Sequence, residues 1–213
     1  MMASGGFGIT QEGEVPSQPE LTVAEMAAAV DAAHNAGLRT TAHADGVPGI
    51  RHALEAGIDC IEHGIFLGPD EARFMAQHDV ALVPTLSTMQ GIYEHGLEYS
   101  MPESWIPIAR DILEPHRASF QAALDAGVLC ATGTDGFGDI VDEMQLFTTF
   151  GLSSYRAIQA ATLRVRQTLQ CVDDKIVIKE PKTARSRRTR PSRTRWLRPY
   201  CAQGSPGVRP RAD

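Results

Sequence analysis

Residues 40–64, T-T-A-H-A-D-G-V-P-G-I-R-H-A-L-E-A-G-I-D-C-I-E-H-G, decide how the chain folds. His43 and His63 stand twenty positions apart, each just past a short apolar run. Between them the sequence reads as a turn, a helix opened by Pro48 and closed by Gly57, and a strand over residues 58–61. That is the length of one α/β repeat. If the two apolar runs are neighbouring parallel strands, both histidines stand at carboxyl ends, on the rim where α/β folds carry their chemistry.

The same unit recurs on both sides. Upstream, residues 3–21 are rich in Gly, Ser, Pro and Gln and read as a loop. Thr22 and Glu25 then make a capping box that opens a helix through Met26, Val30 and Ala33, stopped by Gly37 and followed by a strand over residues 38–42. Downstream, Pro69 and Asp70 open a third helix through Phe74 and Met75, and a strand over residues 80–83 leads into P-T-L-S. A fourth helix over residues 108–126 ends at Gly127, and a strand over residues 128–131 runs into G-T-D-G, where Asp135 takes the histidine's position. The phrases A-H-N-A-G-L, A-L-E-A-G-I and A-L-D-A-G-V precede three of these strands. Helix alternating with strand predicts the α/β class with a parallel sheet. Residues 88–107, punctuated by Gly91, Gly96 and Pro102, read as a loop long enough to cover a site. Two more helices are expected over residues 140–150 and 154–169.

With 213 residues, 43% of them apolar, one core-bearing domain over residues 1–176 and a tail over residues 177–213 are expected. Charge separates them. Residues 1–180 hold 10 Lys+Arg against 25 Asp+Glu, whereas residues 181–213 hold 10 against 1. Beyond Lys175 the Arg, Pro, Ser and Thr content cannot bury enough apolar surface to offset ordering, so the tail is expected to be disordered. Trp196 and Tyr200 among its arginines would suit nucleic acid. The abrupt loss of pattern near Val177 fits a lost reading frame better, and no nucleic-acid partner is expected. With neither a membrane-spanning run nor a secretory leader in the sequence, a cytoplasmic location is expected. Cys60, Cys130, Cys171 and Cys201 show neither disulfide nor metal spacing.

Two imidazoles and a carboxylate at strand ends suit a catalytic divalent metal, zinc first, with iron or manganese as alternatives. Asp135 would accept a proton from the attacking water and pass it to a leaving amine. Thr85, Tyr93 and His95 are the candidate substrate contacts. On the residues alone these roles stay balanced against hydrogen-bonded histidines and a turn aspartate between glycines. His34, His52 and His78 fall on predicted helices and are expected in solvent. Strand alternation points Glu62 away from His63 and so out of the site. A nucleotide-binding α/β domain would need G-x-G-x-x-G after a strand, which is absent.

The segments T-A-H-A-D-G, I-E-H-G, V-P-T-L-S and A-T-G-T-D-G, in that order and spacing, resemble the second half of the metal-dependent amidohydrolase superfamily, in its imidazolonepropionase-like and prolidase-like branch. The resemblance covers about residues 2–176, including M-A-S-G-G at the start and G-L-S-S-Y-R-A-I-Q-A-A-T near the end. It implies a partial (β/α)8 TIM-type barrel, about strands 5 to 8 with their helices. It also implies that His43 and His63 are metal ligands on the fifth and sixth strands, and that Asp135 on the eighth is both ligand and proton shuttle. Substrates would be amides, cyclic amides or dipeptides. The family's first-strand His-x-His pair is absent, no lysine occurs before Lys175, and the fourth strand is expected to end just before Met1. Two readings follow: a hydrolase of C–N bonds or a truncated remnant of one, and a non-catalytic fragment that is unstable alone or completed by a partner chain or second copy.

Overall fold

Each strand is entered through a residue in the left-handed region: Gly37 (φ 73°), Gly57 (φ 85°), Asp79 (φ 56°) and Gly127 (φ 81°). This is the helix-ending geometry that glycine adopts without a Cβ clash, and that aspartate tolerates. The computed structural model describes residues 1–6, 15–136 and 138–169, all within the compact unit Met1–Glu180. The Arg/Pro-rich tail, and with it the expectation of disorder, lies outside the described residues.

The order is α1 (Val23–Asn35), β1 (Thr41–Ala44), α2 (Val47–Glu55), β2 (Cys60–His63), α3 (Pro69–Gln77) and β3 (Ala81–Val83). The capping box forms as predicted: Glu25 N–H donates to Thr22 Oγ1, and Thr22 N–H donates to the Glu25 carboxylate at 2.9 Å. The sheet is parallel, in the order β1-β2-β3, with His43 opposite Glu62 and Ala44 opposite His63.

Isolated parallel bridges widen the sheet on both sides. On one, Met2 pairs with His43: His43 N–H donates to the Met1 carbonyl and Ala3 N–H to that of His43, both at 2.9 Å. This corrects the expectation that the neighbouring strand ends before Met1, because residues 1–3 are themselves paired. On the other side the predicted strand over residues 128–131 is reduced to one bridge, Leu82 with Cys130. Leu82 N–H donates to the Leu129 carbonyl and Ala131 N–H to that of Leu82, each at 2.9 Å.

One face of the sheet carries the core. Ala42, Ala44 and Ile61 are fully buried in a cluster with Met26 and Val30 of α1, Ile50 and Leu54 of α2 and Met75 of α3. The burial of β1 alternates, leaving Thr41 exposed and His43 half-buried on the other face.

The predicted loop over residues 88–107 is corrected, because most of its first half is helical. Helix α4 (Leu86–His95) packs on α5 (Trp105–Ala126), burying Leu86, Thr88 and Ile92. Gly91 sits inside this helix, and Gly96 marks its end, where a Cβ would lie 2.4 Å from the Ile92 carbonyl oxygen. The chain continues through α6 (Ile140–Thr149) and α7 (Ser154–Gln159), a π-helical turn over Ala160–Arg164, and α8 (Val165–Leu169). Phe147 of α6 packs at a tilt against Phe120 of α5, ring centroids 4.6 Å apart, and so closes the core. Among the described residues no helix is long and apolar enough to cross a membrane.

Candidate active site

His43 and His63 meet where β1 and β2 end. In a regular parallel pair His63, opposite Ala44, would share the core-facing side. Its backbone instead turns left-handed (φ 68°), and Gly64 continues the turn (φ 61°). The two imidazoles come edge to face, centroids 4.7 Å apart at 67°.

Each imidazole has a second partner. Nε2 of His43 lies 3.3 Å from Oδ2 of the buried Asp45. Asp45 is in turn placed by its N–H, which donates to Ser4 Oγ at 2.9 Å. Nδ1 of His63 is hydrogen-bonded to Thr85 Oγ1 at 2.7 Å. Helix α5 pins the chain where it leaves β2: His116 Nε2 donates to the His63 carbonyl at 3.2 Å, and Ser119 Oγ to that of Ile65 at 2.6 Å. Burial first, then the nearby His63, pushes His116 down to about 4, so its ring is neutral near pH 7 and Nε2 can carry the donated proton. Burial also holds His63 below its ordinary value, with the charge of Glu62 working the other way.

Glu62 corrects a further expectation. As register partner of His43 it shares His43's face, and Thr41 Oγ1 donates to Glu62 Oε1 at 3.1 Å. Strand alternation had excluded it because alternation assumes that His63 is still extended, and it is not. Asp135 sits in a left-handed turn (φ 46°) and remains open to solvent. Partial burial and then the negative charge of Glu62 raise its carboxyl, while His43 pulls it down. Asp135 is therefore within electrostatic reach of both.

Thr85, itself left-handed (φ 53°), precedes α4. Of the three candidate substrate contacts, it is the one the structure joins to the histidine pair. Tyr93 and His95 belong to α4 rather than to a loop, and both side chains are exposed. His95 lies 3.8 Å from Glu94 and 3.6 Å from Glu98, with the Tyr99 ring 6.1 Å away. Among the described contacts neither Tyr93 nor His95 meets His43, His63 or Asp135. His34 and His78 are exposed as expected, the first paired with Asp59 at 2.9 Å, the second stacked on Phe74. His52 is half-buried, with Nδ1 3.2 Å from the Leu21 carbonyl oxygen.

Asp45, Glu62, His116 and Glu143 are the residues that sequence reading missed. A signal existed for Asp45, which follows His43 at the i+2 spacing of one strand face. Glu143 left none. It is fully buried on α6, accepting the N–H groups of Leu86 at 3.0 Å and Ser87 at 2.6 Å. Burial drives its carboxyl up to about 7 against the pull of those donors. Among the described residues no group of three or more His, Cys, Asp or Glu side chains converges closely enough to hold a metal ion. The imidazole pair nonetheless suits one in chemistry, two adjacent rings, one hydrogen-bonded to Thr85 and the other beside the Asp45 carboxylate.

The sequence profile described as "Amidohydrolase family" matches residues 2–171. The chain belongs to the amidohydrolase family. An uncharacterised protein of Mycobacterium tuberculosis is 36% identical over 155 residues, covering 68% of this amidohydrolase chain and 40% of the relative. Ochratoxinase of Aspergillus niger is 28% identical over 165 residues, covering 76% of this chain and 34% of its own length. The crystal structure of a prolidase complexed with N-methylphosphonate-L-proline is similar at a TM-score of 0.72 and 27% identity, covering 79% of this chain and 42% of that one. The chain thus spans about 40% of the mycobacterial relative's length, and its α/β architecture with a small parallel sheet is similar to part of its structural neighbours in the family.

Proposed function

We propose that this amidohydrolase chain carries the fifth to eighth units of a (β/α)8 barrel and hydrolyses C–N bonds of amides, cyclic amides or dipeptides with a divalent metal held by His43, His63 and Asp135. Family membership and the likeness to a prolidase support the substrate class. Zinc is the first candidate, and iron and manganese accept the same ligands.

One observation carries the reading: the two imidazoles meet at the strand ends, His63 hydrogen-bonded at Nδ1 to Thr85 and His43 with Nε2 3.3 Å from the Asp45 carboxylate. Metal-ligating histidines are characteristically oriented in this way by a hydrogen bond at the other ring nitrogen. His43 and His63 would each hold the metal through a ring nitrogen, His63 with its Nδ1–H donating to Thr85. When bound, the metal would polarise the scissile carbonyl and lower the pKa of water. Asp135, its carboxyl raised by burial and by Glu62, is a better base than an ordinary aspartate. It takes a proton from water as the water oxygen bonds to the carbonyl carbon, and returns a proton to the leaving nitrogen as the C–N bond breaks. Glu62, beside Thr41, lies on the same face and keeps Asp135 receptive to that proton.

The test is metal content by elemental analysis after exposure to zinc, iron(II) and manganese(II), with a His43→Ala/His63→Ala double variant. About one equivalent in the wild type, lost in the variant, is the expected result. A folded wild type that takes up none of the three sinks the metal assignment. The partly open sheet face bearing Thr41, His43 and Glu62 favours a second reading, a chain completed by a partner or a second copy that covers this face. Light scattering with thermal melting separates the two, because a cooperatively melting monomer excludes dependence on a partner.

A further inference from the structure

We propose that Glu143 is a positioning residue, which, by clamping the first turn of α4, sets where His63 and Asp135 stand relative to each other. The inference rests on the reading of those two residues as functional. The first N–H groups of a helix have no partner in the helix and are commonly capped by the side chain of the residue just before it. Thr85 occupies that place before α4 yet makes no side-chain cap bond, because its hydroxyl is committed to His63. The cap comes instead from 56 and 57 residues away, as Glu143 Oε2 accepts Ser87 N–H and Oε1 accepts Leu86 N–H.

The same turn also reaches the aspartate. Thr88 Oγ1 donates to the Thr134 carbonyl at 2.9 Å, one residue before Asp135. A single turn of helix therefore holds His63 through one threonine hydroxyl and the Asp135 loop through another. Thr85 is β-branched and left-handed, a conformation that persists only when its surroundings over-determine it. The segment leading into α6 packs directly against the turn, since a Cβ on Gly138 would lie 2.3 Å from Ser87 Oγ. Glu143 thus anchors from α6 the backbone that Thr85 and Thr88 need in order to reach their partners.

A positioning role is separable from plain stability by reading the His63 ring itself. The experiment is a long-range 1H–15N correlation of histidine side chains on the full, metal-free chain, with His63 assigned through His63→Gln. In the arrangement proposed Thr85 Oγ1 accepts from His63 Nδ1–H, and a preference of about tenfold for that tautomer is expected in the wild type. Glu143→Gln keeps the shape but turns an amide NH2 towards a backbone donor, and the tautomer preference is expected to fall to about threefold or less. Phe147→Leu, one turn along α6 and packed on Phe120, serves as the control for lost stability and should leave the ratio within about twofold of wild type. A folded Glu143→Gln chain with the wild-type ratio, or an equal loss in Phe147→Leu at a matched fall in melting temperature, overturns the proposal. Should Glu143→Gln not fold, Glu143→Asp, charged but one methylene shorter, carries the same test with the same expected loss. Zinc affinity, measured alongside by competition titration, judges the metal assignment separately. A wild type that binds no zinc ends that assignment, while the tautomer ratio still decides Glu143.

Discussion

The two rims of the sheet use the same backbone conformation for different ends. On the amino rim the left-handed positions are Gly37, Gly57 and Gly127, with Asp79 as the exception. On the carboxyl rim the non-glycine ones are His63, Thr85 and Asp135, with Gly64 and Gly136 continuing two of these turns, and the one remaining left-handed non-glycine residue among those described, Ser100, lies in the turn between α4 and α5. Glycine meets no Cβ clash there, whereas other residues bear about 1–2 kcal/mol each. Where only a change of direction is needed, the chain uses glycine. Where it places a histidine, a threonine and an aspartate in the same strained shape, the side chains make contacts that no glycine could: the His63–Thr85 bond, the edge-to-face imidazole pair and the carboxyl beside Glu62 and His43.

The largest effect that would break this comparison is on turnover. Asp135→Asn keeps a side chain that tolerates the left-handed turn but removes the proton acceptor. Hydrolysis of a dipeptide by the metal-loaded chain is expected to fall by about 10²- to 10⁴-fold, with the urea midpoint close to wild type. Unchanged turnover would leave the strain at Asp135 without a functional reason.

Next in size is a pH effect at the clamp behind the carboxyl rim. Glu143 titrates near 7 in the folded chain against an ordinary 4.5. Between those values the folded chain holds a proton that the unfolded chain has released. Its contribution to stability is therefore fully present below pH 4.5 and is lost as pH rises through 7, with a slope of at most about 1.4 kcal/mol per pH unit. His116, depressed to about 4, works in the opposite sense, its contribution present above 6.5 and lost as pH falls through 4. The wild-type curve is consequently flatter than either group alone would make it. Urea midpoints of wild type minus Glu143→Gln isolate the first group, and a difference that rises with pH would contradict the burial of Glu143 as a hydrogen-bonded carboxyl.

How far these features were legible follows from their range. The repeat, the parallel sheet and the rim carrying His43, His63 and Asp135 are written in local phrases such as A-L-E-A-G-I followed by a histidine, because helix, glycine and strand are set by neighbours in sequence. Helix α4 was not legible, since Gly91 and Gly96 read as loop punctuation while burial of Leu86 and Ile92 against α5 overrides their low propensity. Glu62 was misplaced because the left-handed turn at His63 breaks the two-residue period, and no local pattern announces it. Glu143 was invisible for a different reason: a carboxylate on an amphipathic helix looks solvated until the backbone it caps, 56 residues away, is in view.

The amino rim supplies a smaller test. Gly127 has nothing within 4 Å of where a Cβ would stand, so Gly127→Ala adds backbone strain and no clash. A loss of about 1 kcal/mol in urea denaturation is expected, with the histidine-ring spectrum unchanged. A shifted His63 signal would mean that the rims are coupled and that the contrast between them is false.

The exception on the amino rim gives the finest test. Asp79, exposed, sits at φ 56° where the other three units have glycine. Asp79→Gly removes the Cβ penalty but adds freedom to the unfolded chain, two terms of opposite sign that leave a gain of about 0.5 kcal/mol. Thr85→Gly, at φ 53°, makes the same backbone change on the carboxyl rim and relieves the same strain. It also deletes the hydroxyl that meets His63. Comparable midpoints for the two variants, with the His63 tautomer preference kept in Asp79→Gly and lost in Thr85→Gly, would show that the strain at Thr85 is tolerated for its contact. If the preference survives in both, the contact is incidental, and Thr85 is left-handed for the same reason as Asp79: the chain has to turn there.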